Sequence, residues 1–355
     1  MDKYRIDSHK LIYQVARVND WLNGKIIYPI YSEISPSGSC NHRCSFCALD
    51  FMEYQKRYLD TAILNERLSE MAKLGLKSVM YGGEGEPLLH GQIAEIINHT
   101  KKCGIDAALT TNAVLLKESL SDRILGDMEW IKVSIGAGTK ETYSKIHRAK
   151  ESDFDIVIKN MSYAARIKQK NGYRCTFGMQ ILLLPDNKNE VLLLSKIAMN
   201  IGMDYLVVKP YSQHPLSKTK RYMDIKYNEQ MNLYDELQEL NTDNFSIIFR
   251  LNTMKKWDES VKAYSRCLAL PFWSYIDSGG NVWGCSVYLG DERFLYGNIN
   301  KNSFKEIWEG EKRKKSLEWV RNELDACQCR INCRMDEINL YLWDLKNPPE
   351  HVNFI

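Results

Sequence analysis

The hydrophobic positions of this chain fall into short apolar runs separated by longer stretches of helical periodicity. Residues 26–34 read as a first strand, and a helix over 61–74 follows, closed by Gly75. From there the chain repeats a unit. Strands over 78–81, 107–111, 130–135, 175–184 and 205–210 alternate with helical stretches over 91–103, 115–125, 140–147, 154–169 and 189–200. Apolar strands alternating with helices predict a parallel sheet covered by helices. Six such units predict an α/β fold, a partial (β/α)6 TIM-type barrel, in which function gathers at the C-terminal ends of the strands. Ahead of the first strand, Leu11, Val15, Val18 and Leu22 recur at helical spacing, so residues 1–25 read as a helical segment.

Beyond the sixth strand, residues 211–228 are polar and aperiodic, which predicts a linker or a loop over the barrel mouth. A helix over 229–240 and a strand over 245–250 come next. Apolar runs at 272–277 and 282–285 flank Ser278-Gly279-Gly280-Asn281, a hairpin signal, and a helix is expected over 304–321. The expected division is a helical segment 1–25, a barrel 26–228 and a smaller C-terminal domain 229–355.

Composition narrows the function. The 355 residues can bury a large core, and the net charge of +3 is too small to favour a nucleic-acid partner. The one dense basic run, 311–315, lies inside the last expected helix, where a solvated face accounts for it. The N-terminus lacks the apolar stretch of a signal peptide and no segment reaches membrane-span length, so a soluble, cytoplasmic protein without a membrane partner is expected. Ten cysteines in a reducing compartment point to metal ligation rather than disulfides. Three stand in one loop and five from Cys267 onward, with only Cys103 and Cys175 between, which suggests two metal-binding regions on one scaffold.

The opening loop carries the sharper chemistry. Cys40, Cys44 and Cys47 lie at C-x3-C-x2-C spacing directly after the first strand. Three thiolates on one tight loop can hold three irons of a [4Fe-4S] cube and leave the fourth open. A zinc site wants four ligands in paired motifs, and His42 lies inside the loop at a spacing such sites do not use. With Phe46 just before the last cysteine, the loop resembles the signature of the radical S-adenosylmethionine enzymes. That resemblance implies a [4Fe-4S] cluster and S-adenosylmethionine as cofactors. In that family the open iron chelates the methionine moiety, and reduction of the sulfonium releases a 5′-deoxyadenosyl radical.

The resemblance also assigns residues at the strand ends. Gly82, Gly83 and Glu84 are similar to the family's Gly-Gly-Glu motif, which binds the amino group of S-adenosylmethionine. Asn112, in Thr110-Thr111-Asn112, resembles a Thr-Asn turn of relatives, and Ser134 stands in a Val-Ser-Ile segment where Gly136 replaces a frequent Asp. For Asn112 and Ser134 simple turn polarity is the competing explanation. Gln180 and Leu182 are candidates to pack on adenine, with core packing as the competing explanation for the leucine. Lys209 and Tyr211, at the end of the sixth strand, are candidate catalytic or substrate-contacting residues, because a lysine entering a barrel mouth is costly to bury unpaired. His147 and Arg148 lie on an amphipathic segment and are read as surface or site.

Cys267, the hairpin, Gly284-Cys285 and the cluster Cys327-Gln328-Cys329-Arg330-Ile331-Asn332-Cys333 resemble the SPASM or twitch extension, which binds auxiliary iron-sulfur clusters. Five cysteines suit one four-thiolate cluster, with Cys267, Cys285, Cys329 and Cys333 as ligands and Cys327 as spare. A zinc ribbon on the same four thiolates would use the same donors. The implied activity is hydrogen abstraction from a small polar, carbohydrate-like substrate such as a sugar or cyclitol. Dehydrogenation leads, with the auxiliary cluster as electron acceptor and flavodoxin or ferredoxin as electron donor. An epimerase would need a thiol to return hydrogen, for which Cys327, Cys175 and Cys103 are candidates. Sulfatase-maturing relatives place Asp where Ser286 stands, and the 39 residues before Cys40 leave no space for a leader-binding domain of the kind peptide-modifying relatives carry. Peptide modification and a non-enzymatic metal-binding scaffold compete with this activity for the same cysteine pattern.

Overall fold

The computed structural model describes residues 3–228 and 231–354. Its strands are β1 (Tyr31–Ile34), β2 (Ser78–Tyr81), β3 (Asp106–Thr111), β4 (Met128–Ser134), β5 (Thr176–Leu183), β6 (Tyr205–Pro210), β7 (Ser246–Phe249), β8 (Trp273–Ile276), β9 (Asn281–Trp283) and β10 (Leu295–Asn298). They form one mixed sheet in the order β10-β9-β8-β1-β2-β3-β4-β5-β6-β7. Strands β1 to β6 each pair in parallel with their successor, which leaves β7 at one edge of the sheet. The alternating α/β architecture and its parallel sheet agree with the expected fold class.

The helices are α1 (Val15–Leu22), α2 (Thr61–Lys73), α3 (Ile93–Lys102), α4 (Glu118–Ile124), α5 (Lys140–His147), α6 (Glu151–Asn171), α7 (Val191–Asn200), α8 (Met231–Gln238), α9 (Leu251–Glu259), α10 (Phe304–Glu309), α11 (Glu311–Asn322) and α12 (Asp336–Lys346). Helix α2 begins where the Asp60 carboxylate accepts from the Ile63 amide, 2.9 Å away. It buries Leu64, Leu68 and Met71 against the sheet-side core. Alternation along the strands then divides the residues. Val79, Leu109, Ile131, Val133, Phe177, Met179, Leu206 and Val208 pack under the helices, and their neighbours Met80, Thr110, Lys132, Ser134, Gln180, Leu182 and Lys209 line the opposite, inner face.

Four departures from the expected pattern have local causes. Pro29 lacks an amide hydrogen, and the strand expected from residue 26 pairs in the sheet only from Tyr31. In the opening segment Leu11 and Val18 are buried against Ala269, Phe272 and Trp273, whereas Val15 and Leu22 are exposed. The helix expected over 304–321 breaks at Gly310, whose extended backbone separates α10 from α11. Within the basic run, Arg313 is buried and lies 4.1 Å over the Trp308 ring, while its neighbours face solvent. Of the helix expected over 229–240, Glu229 and Gln230 lie outside the described residues, as do Met1, Asp2 and Ile355 of the terminal segments.

The C-terminal part continues the barrel sheet. Strand β7 extends the parallel run beyond β6, and β8 pairs in parallel with β1 on its other edge. Antiparallel β9 and β10 complete the hairpin layer. Among the described residues no helix is long and apolar enough to cross a membrane.

Candidate active site and cysteine centres

Strand β1 delivers the chain into the cysteine loop. The loop is fixed from three sides. The amides of Arg43 and Ser45 donate to the carbonyls of His147 and Ile146 at the end of α5, at 3.1 and 2.7 Å. Hydroxyls of Ser217 and Thr219, in the segment after β6, donate to the carbonyls of Cys47 and Ser45 at 3.1 and 3.0 Å. From β2, Gly85 approaches so closely that a Cβ there would lie 2.3 Å from the carbonyl oxygens of Ser37 and Ser39.

Cys40, Cys44 and Cys47 face one cavity of about 410 Å³. Its lining draws on strands β1 to β6, with Glu33 of β1, Gly82, Gly83 and Glu86 after β2, Asn112 after β3, Ser134 of β4, Gln180 and Leu182 of β5, and Lys209 and Tyr211 at β6. Phe46 joins them and meets His147 edge-on, with ring centroids 5.2 Å apart. Asn112 is held by its amide donating to Glu86 at 2.8 Å and by its Nδ2 donating to Asn41 of the cysteine loop at 2.7 Å. Tyr211 is buried and its hydroxyl donates to Gln213 at 2.8 Å.

Burial pushes the Cys40 thiol up to about 12, and pushes Cys47 up as well. Cys44 is raised well above the ordinary thiol range, by burial first and then by its neighbours Cys47 and Cys40. Three half-buried thiols that line one cavity and resist ionisation are suited to a cation that stabilises the thiolates. The three donors fit a cluster with one iron left open.

The two carboxylates of the turn after β2 part company. Glu84, expected to reach the S-adenosylmethionine amino group, instead accepts from Arg57 at 3.1 Å and from the Ser278 amide at 2.7 Å. It ties the turn to the β8–β9 hairpin and is absent from the cavity wall. Glu86 faces the cavity, accepting from Thr111 Oγ1 at 2.5 Å and from the Asn112 and Leu88 amides at 2.8 and 3.1 Å. Burial raises its carboxyl to about 7 against those hydrogen bonds. Two glutamates two residues apart give no sequence signal for which one points inward.

His147 is the residue whose place the sequence leaves open. It is buried, with Nε2 2.8 Å from the Ile135 carbonyl and Nδ1 3.1 Å from Cys44 Sγ. A carbonyl only accepts, so Nε2 carries the proton and the neutral ring presents an acceptor to the Cys44 thiol. Burial, then His42, pushes its pKa down to about 3. Gly136 makes room for it. A side chain there would sit at φ +66° with its Cβ 2.9 Å from His147 Nε2, which accounts for glycine in a position where relatives carry Asp.

The second centre lies in the C-terminal part. Cys267, Cys285, Cys329 and Cys333 line one small cavity with Tyr264, Trp273, Tyr288 and Asn339. Burial raises Cys267 to about 11 and Cys333 to about 12, and drives Cys285 well above the thiol range. Four convergent thiols fit a four-thiolate metal centre. Ser286 and Arg334 line both cavities and form a common wall between them.

Cys327 does not take the catalytic place considered for it. It is exposed, lines neither cavity, and its thiol points to the Tyr264 carbonyl at 3.8 Å. The two other thiols considered for hydrogen return line neither cavity: Cys175 is buried just before β5, and Cys103 contacts Ser69 at the end of α3.

Residues 34–196 match the Radical SAM superfamily, and residues 267–334 match the iron-sulfur cluster-binding domain SPASM. The chain is similar to GTP 3',8-cyclase of Aquifex aeolicus, 31% identical over 179 residues that make up 48% of this chain and 53% of that protein. The chain spans little more than half the length of the curated cyclases it matches here. A longer match, 22% identical over 307 residues, joins 80% of this chain to 81% of the tungsten-containing aldehyde ferredoxin oxidoreductase cofactor-modifying protein of Pyrococcus furiosus. Among solved structures, Streptococcus suis SuiB bound to precursor peptide SuiA shares the fold with a TM-score of 0.65 at 20% identity, over 90% of this chain and 74% of that one.

Proposed function

For a chain that is a radical S-adenosylmethionine protein with a C-terminal SPASM domain, we propose hydrogen abstraction from a small polar substrate held in the 410 Å³ cavity. The cofactors are a [4Fe-4S] cluster and S-adenosylmethionine, with auxiliary iron-sulfur chemistry in the SPASM part. When loaded, they supply an electron and a 5′-deoxyadenosyl radical, chemistry that no side chain can provide. The observation that carries the reading is the convergence of Cys40, Cys44 and Cys47 with strands β1 to β6 on one cavity.

The chain's own residues bind, orient and enclose. Cys40, Cys44 and Cys47 would hold three irons of the first cluster, and Cys267, Cys285, Cys329 and Cys333 would hold the auxiliary one. Glu86, rather than Glu84, offers the carboxylate for the ammonium of the methionine moiety. Asn112, Ser134 and Gln180 present polar groups along the cofactor path, and Phe46 and Leu182 present apolar surface. The segment after β6, seated on the cysteine loop through Ser217 and Thr219, limits access of water to the radical.

Within this activity, net dehydrogenation is the leading outcome: the substrate gives up one hydrogen atom, one proton and one electron. The common wall of Ser286 and Arg334 supports it, because an acceptor for the electron then lies next to the substrate cavity. The absence of Cys327, Cys175 and Cys103 from the cavity lining weighs against an epimerase that returns hydrogen from a thiol. The match to cyclases named for GTP supports a small molecule over a peptide.

Anaerobic reconstitution with iron and sulfide counting tests the reading. Two cubes give about eight irons per chain, and alanine at Cys40, Cys44 and Cys47 together leaves about four and abolishes formation of 5′-deoxyadenosine. Zinc in place of iron, or no reductive cleavage of S-adenosylmethionine by the reconstituted protein, overturns it and leaves a metal-binding scaffold.

A further inference from the structure

The cavity that receives the cysteine loop is strongly basic on its inner strand face. Lys132, Lys209, Arg250, Arg330 and Arg334 all line it. Two of these have carboxylate partners. Arg334 pairs with Glu33 at 3.0 Å, and Arg250 donates to Asp7 at 3.0 Å. Arg330 is held only by neutral acceptors, the hydroxyl and carbonyl of Ser212, at 3.0 and 2.6 Å. The side-chain ammonium groups of Lys132 on β4 and Lys209 on β6 make no hydrogen bond or ion pair with any described residue. The Lys132 ammonium has the Trp130 ring 5.4 Å away, which carries no formal charge. Of the acids in the wall, Glu33 pairs with Arg334 and bonds to neither lysine, although both lie close enough to act on its charge, and Glu86 accepts from Thr111, Asn112 and Leu88.

Half-buried ammonium groups without anionic partners are costly, and a folded chain keeps them where a counter-charge arrives. Lys132 and Lys209 stand on alternate strands with β5 between them, both on the inward side of the alternation. Burial pushes Lys132 down to about 8, and drives Lys209 well below the ordinary lysine range, helped by Lys132 and the three arginines. An anion placed between them reverses both effects. The methionine carboxylate of S-adenosylmethionine is a single charge, whereas three cations here lack a directly bonded carboxylate partner.

We propose that Lys132 and Lys209, joined by Arg330 from the SPASM part, form a subsite for a phosphoryl group of the substrate. The substrate is then a phosphorylated small molecule, such as a nucleotide or a sugar phosphate, and not a neutral sugar or cyclitol. The subsite rests on the reading of this cavity as a substrate site. A phosphoryl dianion matches the charge surplus and takes hydrogen bonds from several directions, which a lone carboxylate does less completely.

The test uses the reconstituted protein with S-adenosylmethionine bound, titrated by calorimetry with inorganic pyrophosphate, inorganic phosphate and acetate. Pyrophosphate binds saturably at one site, acetate does not, and Lys132→Met and Lys209→Met each weaken pyrophosphate by about tenfold or more while leaving S-adenosylmethionine affinity unchanged. Methionine removes a half-buried charge at similar volume, so these variants fold, and Lys209→Arg, which keeps the charge, retains binding. Unchanged pyrophosphate binding in both methionine variants overturns the subsite. So does a selective loss of S-adenosylmethionine affinity, which assigns the lysines to the cofactor, or acetate binding as tightly as pyrophosphate. A substrate screen separates this proposal from the broader one. Turnover won by a neutral cyclitol defeats the phosphoryl subsite alone, and no 5′-deoxyadenosine with any compound defeats the enzymatic reading while the pyrophosphate result stands.

Discussion

Glu86 and His147 face the cysteine loop with opposite responses to burial. The Glu86 carboxyl is raised from 4.5 to about 7, so between those values the folded protein binds a proton the unfolded chain has released. Stability therefore falls as pH rises through that window. His147, lowered from 6.5 to about 3, works the other way: the unfolded chain binds the extra proton, and stability rises with pH over that range. Comparing the metal-free protein with its Glu86→Gln variant isolates the first effect. From pH 4.5 to 8 the stability difference should shift in favour of Gln by up to about 3 kcal/mol, read from urea midpoints. A difference that stays flat across this range removes the buried-carboxyl account. The inward residues of the strands were legible in part, because Ser134, Gln180 and Lys209 interrupt apolar runs at the C-terminal ends. Lys132 shares the face of Ser134 by simple alternation and carries the same signal. The choice between Glu84 and Glu86 was not legible, since it depends on Arg57 and on the Ser278 amide 194 residues away.

Among the elements, α12 does the most with the faintest pattern. Its Asn339 is buried, accepts from the amides of Leu268 and Ala269 at 2.7 and 2.9 Å, and donates to Cys267 Sγ at 3.6 Å. One side chain thus shapes the turn that presents the first ligand of the second centre. Asn339→Ala leaves one buried and one part-buried amide without acceptors, at a cost of about 2–3 kcal/mol in thermal or chemical unfolding. Iron should fall from about eight to about four per chain, because only the SPASM centre loses its geometry. Asn339→Asp keeps both acceptors and should recover most of the stability. Full iron content in Asn339→Ala contradicts this role. The barrel helices were readable from their apolar stripes and the β8–β9 hairpin from its glycine turn. The place of the hairpin was not, since nothing local to residues 272–285 indicates that β8 pairs with β1.

On the scale of the whole molecule, barrel and SPASM part share one sheet. Ser32 and Ser274 hydroxyls meet at 2.9 Å across the β1–β8 junction, and Glu84, Arg57 and Ser278 fasten the turn after β2 to the same hairpin. A chain ended at residue 260 would expose the β1 edge and leave Glu84 buried with one partner fewer. It should aggregate or express insolubly rather than yield an isolated barrel, as judged by soluble yield and size-exclusion profile. A soluble, monomeric truncation that binds about four irons would contradict this view of the sheet.

The same junction sets a clock on synthesis. Ser32 waits for Ser274, 242 residues downstream, and at ordinary translation rates that wait is on the order of ten to fifty seconds. Throughout it, the first strand made is open on one side, next to a loop of three reactive thiols. The nascent chain therefore passes through a long interval in which holding factors and metal delivery both have access to its first cysteine loop, before the last part of the polypeptide seals the edge.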